Sequence, residues 1–180
     1  YSYDKLYQKT CRWYKGDFHT HTRLSDGKET TFNATRKAEN DGLDYYVPTE
    51  HNVVHTGWQE TDVMIVPGVE MTTTLGHANI FGLTRRPEGL DRILCDKEDG
   101  KLKADIEAMI RECQEEGWLF SVNHPFLYMW KWLYQDLKLA DIDCLEIIND
   151  PTYAADVNAH AQEANEKAVF LSDLLWADGY

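Results

Sequence analysis

Short apolar runs alternate with helical patterns along this chain of 180 residues. Such alternation is typical of βαβ units, which build a largely parallel sheet covered by helices. The apolar runs predict strands over residues 13–19, 44–49, 63–66, 77–83, 118–122 and 142–148, and the helical patterns predict helices over residues 31–41, 105–116 and 156–177. The charged residues 84–101 are expected to form an irregular surface insertion. The predicted fold class is therefore α/β.

The helix predicted over residues 105–116 has the clearest pattern. Its apolar side chains recur at i, i+3, i+4 and i+7, so they line one face. These residues are Ile106, Met109, Ile110 and Cys113. Gly117 is placed to end this helix, and Thr31 is expected to cap the first predicted helix.

Composition excludes several classes of partner. The net charge is −13 at pH 7, which argues against binding to duplex nucleic acid, because that binding needs a basic surface. No apolar run approaches the length of a transmembrane helix, so no membrane partner is expected.

The four cysteines show no CxxC spacing and are expected to be reduced, which suits a cytoplasmic location. The chain begins with Tyr1 rather than Met, so an N-terminal segment can have been removed.

Candidate metal ligands stand at the ends of successive predicted strands, where α/β folds gather their ligands. His19 and His21 close the first strand. Thr49-Glu50-His51-Asn52 follows the second strand, Pro67-Gly68-Val69-Glu70 follows the third, and Asn123-His124-Pro125 follows the fifth. His77 begins the fourth predicted strand, so it fits this pattern only if that strand runs antiparallel or returns as a hairpin.

The first of these motifs has the spacing of a metal site. Because side chains alternate along a strand, His19 and His21 point to one face, and Asp26 follows five residues later. Neutral imidazole is the commonest protein metal ligand, and imidazole with carboxylate suits Zn, Mn or Fe better than Ca or Mg. Taken singly, a strand-end histidine is more often a hydrogen-bonded structural residue, and Asp26-Gly27 is an ordinary turn. The joint pattern favours a metal site.

Together the motifs resemble those of the PHP (polymerase and histidinol phosphatase) family, in family order and over nearly the whole chain. The matching segments are His19-Thr20-His21 with Ser25-Asp26-Gly27, Thr49-Glu50-His51-Asn52, Pro67-Gly68-Val69-Glu70 with Gly76-His77, and Asn123-His124-Pro125. Residues 145–149 and 174–180 are similar to the branch labelled CehA/McbA-type metallohydrolases.

The resemblance implies a distorted seven-stranded β/α barrel, formed by residues 1–180 as a single domain, that holds two to three divalent metal ions. The implied ligands are His19 and His21 for one metal, Glu70 as a bridge to a second, His77 and His124 for that second metal, and Asp26 and His51 for a third. A carboxylate can bridge two cations about 3.5–4 Å apart, which is the spacing of a two-metal hydrolytic site.

One part of the family pattern is absent. The pattern ends with an Asp-x-His pair on a final strand, whereas the sequence ends at Tyr180 before any such pair. By the resemblance, the first metal lacks its Asp and the third lacks its His, so the domain is expected to be truncated and its barrel incomplete. Asp173 and Asp178 are expected to be surface or cap residues rather than replacements. An open barrel edge would favour self-association.

The resemblance implies a metal-dependent hydrolase, in first place a phosphoesterase that uses a metal-activated water on a small phosphate mono- or diester. A carbamate, ester or amide hydrolase on the same metals is one alternative, and a non-catalytic metal-binding domain or inactive fragment is another. Glu70, His51 and Asp26 are the residues expected to act in catalysis. Arg23, two residues after His21, could contact a substrate phosphate or be a solvated turn residue.

Overall fold

The structure, a computed structural model, describes residues 13–95, 98–149 and 159–180. These residues form both strands and helices, so the α/β class is confirmed. The strands are β1 (Gly16–Thr20), β2 (Tyr45–Pro48), β3 (Met64–Ile65), β4 (Gly68–Thr73), β5 (Gly76–Phe81), β6 (Leu119–Val122) and β7 (Cys144–Leu145). The helices are α1 (Thr31–Asn40), α2 (Leu90–Cys95), α3 (Asp99–Glu116) and α4 (Ala159–Asp178).

The strands form two sheets. In the first sheet β1, β2 and β3 lie side by side in that order, and both pairs are parallel. The second sheet has the order β4-β5-β6-β7, and its β6–β7 pair is parallel. The described residues therefore do not close the seven-stranded barrel that the resemblance implies. β3 and β7 have two residues each, too few to continue a hydrogen-bonded ladder around a barrel.

The chain divides into two compact units. The first contains the residues up to Glu70 together with Phe81–Arg86, and the second contains Met71–Ile80 and Pro87–Tyr180. In the first unit, α1 packs against the parallel sheet around a buried cluster of Ala38, Tyr46, Val63 and Ile65. Because β1 and β2 run parallel, the residues that follow both strands lie at one edge of this sheet.

Thr30, and not Thr31, is the N-cap of α1, so the predicted cap is wrong by one residue. The backbone of Thr30 is extended, and its side chain accepts a hydrogen bond from the backbone N–H of Asn33 at 3.2 Å. Thr31 is already the first helical residue. Both threonines suit an N-cap by residue type, and the backbone conformation decides between them.

The helix predicted over residues 105–116 is longer in the structure. Its apolar stripe of Ile106, Met109, Ile110 and Cys113 is buried, as the pattern predicts. Gly117 ends the helix with a left-handed backbone conformation, φ 72°. α3 begins at Asp99 because Leu102, one turn before Ile106, joins the same buried face.

The irregular insertion expected over residues 84–101 is wrong in part, because this range contains α2 and the start of α3. Leu90 and Ile93 of α2 are buried, three residues apart on one helix face. The charged residues around these two apolar side chains hide the helical pattern in the sequence.

β4 is a strand that the sequence analysis does not predict, so Glu70 lies inside a strand rather than after one. The chain returns as β5 after two residues, and a connection this short joins antiparallel neighbours. Thr73 braces the turn: its Oγ1 donates to the carbonyl of Gly76 at 2.7 Å and accepts from the backbone N–H of Leu75 at 3.0 Å. His77 therefore lies on the returning strand of a hairpin, as its place in the sequence pattern requires.

Two elements near the C-terminus differ in extent from their predictions. The strand expected over residues 142–148 is limited to β7, and the helix expected over residues 156–177 is described as α4 from Ala159, since residues 156–158 lie outside the described residues. Ala164 and Ala168 of α4 are buried. Among the described helices, none combines the length and the apolar character that a bilayer crossing requires.

Candidate metal centre

An irregularity in β1 precedes the histidine pair. The β1–β2 register shifts between Asp17 and Thr20, so the strand gains a residue there relative to β2. Thr49, directly after β2, then fixes the end of β1: its Oγ1 accepts from the N–H of Thr20 at 2.9 Å, and its own N–H donates to the Thr20 carbonyl at 3.0 Å. Such bulges are frequent beside active sites because they redirect side chains.

His19 and His21, on either side of Thr20, converge as the period-two alternation predicts. Their Nε2 atoms are 3.1 Å apart. The buried carboxylate of Glu70 completes this group, with Oε1 3.4 Å from the His19 Nε2 atom and Oε2 3.4 Å from the His21 Nε2 atom. Glu70 is fully buried, so β4 presents a charged group to the histidines from inside the fold.

A second group shares His21 and adds His51 and Asp26. The Asp26 carboxylate lies 3.6 Å from the His21 Nδ1 atom and 3.4 Å from the His51 Nε2 atom. The two imidazole rings stack with their centroids 4.4 Å apart. On its other side, His51 Nδ1 lies 2.9 Å from Glu70 Oε2. Both groups therefore contain His21, and His21 and His51 of the second group contact Glu70 of the first.

The backbone around His51 explains this approach to Glu70. An isolated parallel bridge pairs His51 with Glu70, and the N–H of Asn52 donates to the Glu70 carbonyl at 2.8 Å. Asn52 has a left-handed backbone, φ 56°, which turns the chain away directly after the bridge. The bridge thus places the His51 side chain against β4.

The loop from Thr22 to Gly27 places Asp26. Its turn is closed by hydrogen bonds to the Thr22 carbonyl from the N–H groups of Ser25, at 3.1 Å, and Gly27, at 2.8 Å. A Cβ atom on Gly27 would lie 2.1 Å from the carbonyl oxygen of His21, so this position accepts only glycine. The Asp-Gly turn of the motif is therefore required by a close backbone approach.

Burial and charge act differently on the two shared histidines. Burial lowers the pKa of His21, against the opposing effect of Glu70, and the neighbouring His19 and His51 lower it further. The hydrogen bond to Glu70 raises the pKa of His51. A lowered pKa keeps His21 neutral near pH 7, which is the form in which imidazole binds a metal.

The donor atoms fit a divalent transition metal. Two nitrogen ligands about 2.0–2.1 Å from one ion are about 2.8–3.4 Å apart, from octahedral to tetrahedral geometry. The separations between His19, His21 and Glu70 lie in this range, and all donor atoms of each group lie within 4.8 Å of one another. Imidazole and carboxylate donors suit Zn, Mn and Fe.

Two further predicted ligands meet in the second unit. The rings of His77 and His124 have centroids 5.1 Å apart. The backbone N–H of His124 donates to Glu146 at 2.8 Å, and His124 Nδ1 lies 3.1 Å from the Trp130 carbonyl, an acceptor to which only a protonated Nδ1 can donate. His124 has a strained backbone, φ 27°. Glu70 belongs to the first unit, and its predicted site with His77 and His124 stays a prediction.

Two arginines have defined positions in the first unit. Arg23 Nε donates to the carbonyl of Lys28 at 2.8 Å, so this guanidinium braces the loop that carries Asp26. Arg86 Nη1 donates to the carbonyl of Asn52 at 3.4 Å, beside His51. The sequence carries no signal for the position of Arg86, because 34 residues separate it from Asn52.

Glu50 is a site residue that sequence reasoning missed. Glu50 stands in the Thr49-Glu50-His51-Asn52 motif, in which the sequence predicts a role for His51 alone. Its side chain is 1% exposed and accepts hydrogen bonds from Thr22 and Ser25 in the loop that carries Asp26. The only signal in the sequence is the position of a carboxylate directly before a candidate ligand.

Asp173 and Asp178 are exposed on α4, as is expected of surface residues.

No protein-family model and no curated protein matches this chain. Solved structures do match it. One is a two-domain protein from Bacteroides vulgatus ATCC 8482 containing a predicted PHP-like metal-dependent phosphoesterase, with 24% identity, a TM-score of 0.52, and a match over 76% of this chain and 44% of that chain. A protein from Bifidobacterium adolescentis ATCC 15703, named a metal-dependent phosphoesterase, has 17% identity and a TM-score of 0.54, over 84% of each chain.

A third match is the lesion-specific endonuclease PfuEndoQ from Pyrococcus furiosus, with 17% identity, a TM-score of 0.53, and a match over 78% of this chain and 44% of that chain. The chain therefore spans less than half of two of these proteins and most of the third. At these identities the likeness concerns the fold. The chain has the fold of the PHP-like metal-dependent phosphoesterases, as its motifs indicate.

Proposed function

We propose that this chain is a metal-dependent hydrolase, and specifically a phosphoesterase that acts on a small phosphate mono- or diester. One observation carries the proposal: the imidazoles of His19, His21 and His51 converge on the buried carboxylate of Glu70. The names of the fold relatives support the same activity. Zn, Mn or Fe is the proposed metal, with two to three ions per chain.

His19, His21 and Glu70 would hold one ion, and Asp26 and His51 offer donors for another. A bound divalent cation supplies a water of lowered pKa and offsets negative charge on a phosphoryl group. Glu70 fixes the three imidazoles around it, since both of its oxygens face ring nitrogens. β1, β4 and the segments that follow β1 and β2 thus hold the donors before any ligand arrives, which is the preorganisation that catalysis requires.

Asp26 is the accessible acid of the site. Its side chain is 67% exposed, whereas Glu70 is fully buried, and it contacts His51 at 3.4 Å. An exposed carboxylate beside an imidazole can exchange protons with solvent and pass them to the ring. We propose that Asp26 and His51 act as the proton-transfer pair when no ion occupies their donor group, with Glu70 as the fixed central carboxylate.

The substrate would be a small molecule. The net charge of −13 repels polyanions, so a phosphate ester needs local positive charge for binding. Arg23 and Arg86 are the candidate contacts, and their hydrogen bonds to loop carbonyls hold both near the donors. One fold relative is named an endonuclease, so nucleic acid is the substrate of that protein. Assignment of residues 1–180 to one PHP-like domain, a cytoplasmic location and self-association stay predictions.

The test measures hydrolysis of p-nitrophenyl phosphate, bis(p-nitrophenyl) phosphate and an aryl ester by the metal-free chain after addition of Mn²⁺, Zn²⁺ or Fe²⁺. We expect metal-dependent release of p-nitrophenol from a phosphate ester that Glu70→Gln lowers at least about 100-fold, because that carboxylate contacts all three imidazoles. His55→Asn is the matched control, since His55 belongs to the same unit but to none of the donor groups found among the described residues. Turnover of the aryl ester alone would favour the ester or amide alternative, and metal binding without turnover would favour a non-catalytic domain.

A further inference from the structure

We propose that Glu50 is a positioning residue that holds the loop bearing His21 and Asp26 in its metal-binding geometry. The inference rests on the proposed function, since it concerns ligands of the same centre. Glu50 itself belongs to none of the donor groups found among the described residues. Its role is to fix the ligands through hydrogen bonds rather than to bind the metal.

Both oxygens of the Glu50 carboxylate are used by one loop. The N–H of Thr22 donates to Oε1 at 2.8 Å and to Oε2 at 3.1 Å. The hydroxyl of Thr22 donates to Oε1 at 2.5 Å, and the hydroxyl of Ser25 donates to Oε2 at 2.6 Å. The two hydroxyl contacts have the short distances of O–H···O⁻ hydrogen bonds, and the two N–H contacts have ordinary distances.

The Glu50 carboxylate and the Thr22 side chain that donates to it are both removed from water. Glu50 is 1% exposed and Thr22 is fully buried. A buried carboxylate is costly unless donors satisfy it, so the Glu50 side chain is tolerated only while the loop keeps its donors in place. The converse also holds, because the loop conformation from Thr22 to Gly27 presents those donors together. The carboxylate and the loop therefore stabilise each other.

The three residues joined by these hydrogen bonds are direct sequence neighbours of the candidate ligands. Thr22 directly follows His21, Ser25 directly precedes Asp26, and Glu50 directly precedes His51. Ser25 Oγ also lies 3.4 Å from His21 Nδ1, so the hydroxyl that donates to Glu50 is placed beside that ring. One buried carboxylate thus sets the backbone beside all three members of the second donor group.

The test combines a metal-free and a metal-bound readout on the full chain. Hydrogen exchange of residues 20–28 is measured without metal, and binding of Mn²⁺ and Zn²⁺ is measured by calorimetry. The variants are Glu50→Gln, which removes the charge, and Ser25→Ala, which removes one donor. Glu60→Gln is the control, because Glu60 is an exposed carboxylate in the same unit.

We expect Glu50→Gln to accelerate exchange over residues 20–28 without changing exchange over α1, and to weaken metal binding about 10–100-fold, as loss of an outer contact to a ligand does. Ser25→Ala should have the same effect at smaller size, about threefold to tenfold. The control should match the parent chain in both measurements.

Parent-like exchange and parent-like metal affinity in Glu50→Gln and Ser25→Ala would overturn the inference. Equal acceleration over α1 and the loop would also overturn it, because that result indicates general destabilisation. Failure of the parent chain to bind either metal would instead overturn the proposed function. In that case the exchange measurement still decides whether Glu50 holds the loop.

Discussion

At the scale of single residues, Glu70 shows how the centre tolerates a buried charge. A carboxylate removed from water is unfavourable unless polar partners surround it. Glu70 is fully buried, and the nitrogens of three imidazoles face its oxygens at 2.9–3.4 Å. The same carboxylate places negative charge beside the three imidazole rings, which favours a cation bound among them. The Glu70 carboxylate is thus fully buried and contacts all three imidazoles.

Gly27 is the residue whose substitution most directly tests the loop geometry. Gly27→Ala should destabilise the chain by about 1–3 kcal/mol and weaken metal binding, because its Cβ atom would meet the His21 carbonyl at 2.1 Å. Urea unfolding and calorimetric metal titration check both effects. Gly100→Ala in α3 is the matched control: nothing lies within 4 Å of its Cβ position, and it should leave stability unchanged or raise it by at most about 1 kcal/mol. Equal losses in both variants would contradict the steric explanation.

The thiols of Cys95 and Cys113 are expected to differ in reactivity because they differ in burial. Burial raises the pKa of Cys113 to about 12, whereas Cys95 is exposed. Because the thiolate is the reactive form, a thiol reagent at pH 8 should modify Cys95 at least about tenfold faster than Cys113 in the folded chain. Peptide mapping by mass spectrometry measures this ratio, and 6 M guanidinium (about the concentration that unfolds most domains) should abolish it. Fast native modification of Cys113 would show that the α3 face opens readily.

At the scale of elements, helix α3 and strand β4 show what a local sequence pattern can and cannot predict. The stripe on α3 was predictable because it depends only on spacing within one helix. β4 was not, because it carries Glu70 at a position where a strand normally buries an apolar side chain. Its carboxylate is tolerated only because histidines from other segments meet it there. An element that depends on such partners has no complete signal in its own residues.

The N-cap of α1 makes an element-scale prediction. Thr30→Ala should lower the free energy of unfolding by about 1 kcal/mol, since the Thr30 side chain satisfies the otherwise unpaired N–H of Asn33. Thr31→Ala should change it by less, because Thr31 is the first residue of the helix and alanine has the higher helix propensity. Chemical unfolding followed by circular dichroism measures both values. A larger loss for Thr31→Ala would restore Thr31 as the cap.

At the scale of the whole molecule, the charge balance links metal binding to stability. The chain carries 31 acidic and 18 basic side chains, so bound cations reduce its self-repulsion. A ligand that binds only the folded state stabilises it by about 2.7 kcal/mol at a concentration 100 times its Kd. Saturating Mn²⁺ or Zn²⁺ should therefore raise the melting temperature, and EDTA should reverse the shift. Glu70→Gln should abolish most of that shift, and a shift of full size in this variant would contradict the assigned centre.

The sequence by itself determined the features that depend on near neighbours along the chain. The pairing of His19 with His21 follows from alternation within one strand, the Asp26-Gly27 turn from its residue types, and the buried face of α3 from helical spacing. The resemblance of the motifs then indicated a fold that the solved structures share.

Only the tertiary structure decided which distant residues complete the site. Glu50 reaches Thr22 across 28 positions of the chain, and Arg86 reaches Asn52 across 34. Both contacts depend on where the chain is brought together in the fold, and no pattern within either segment records that. The two separate sheets and the position of Glu70 inside β4 have the same origin, because strand pairing is set by long-range hydrogen bonds and packing rather than by the strand's own residues.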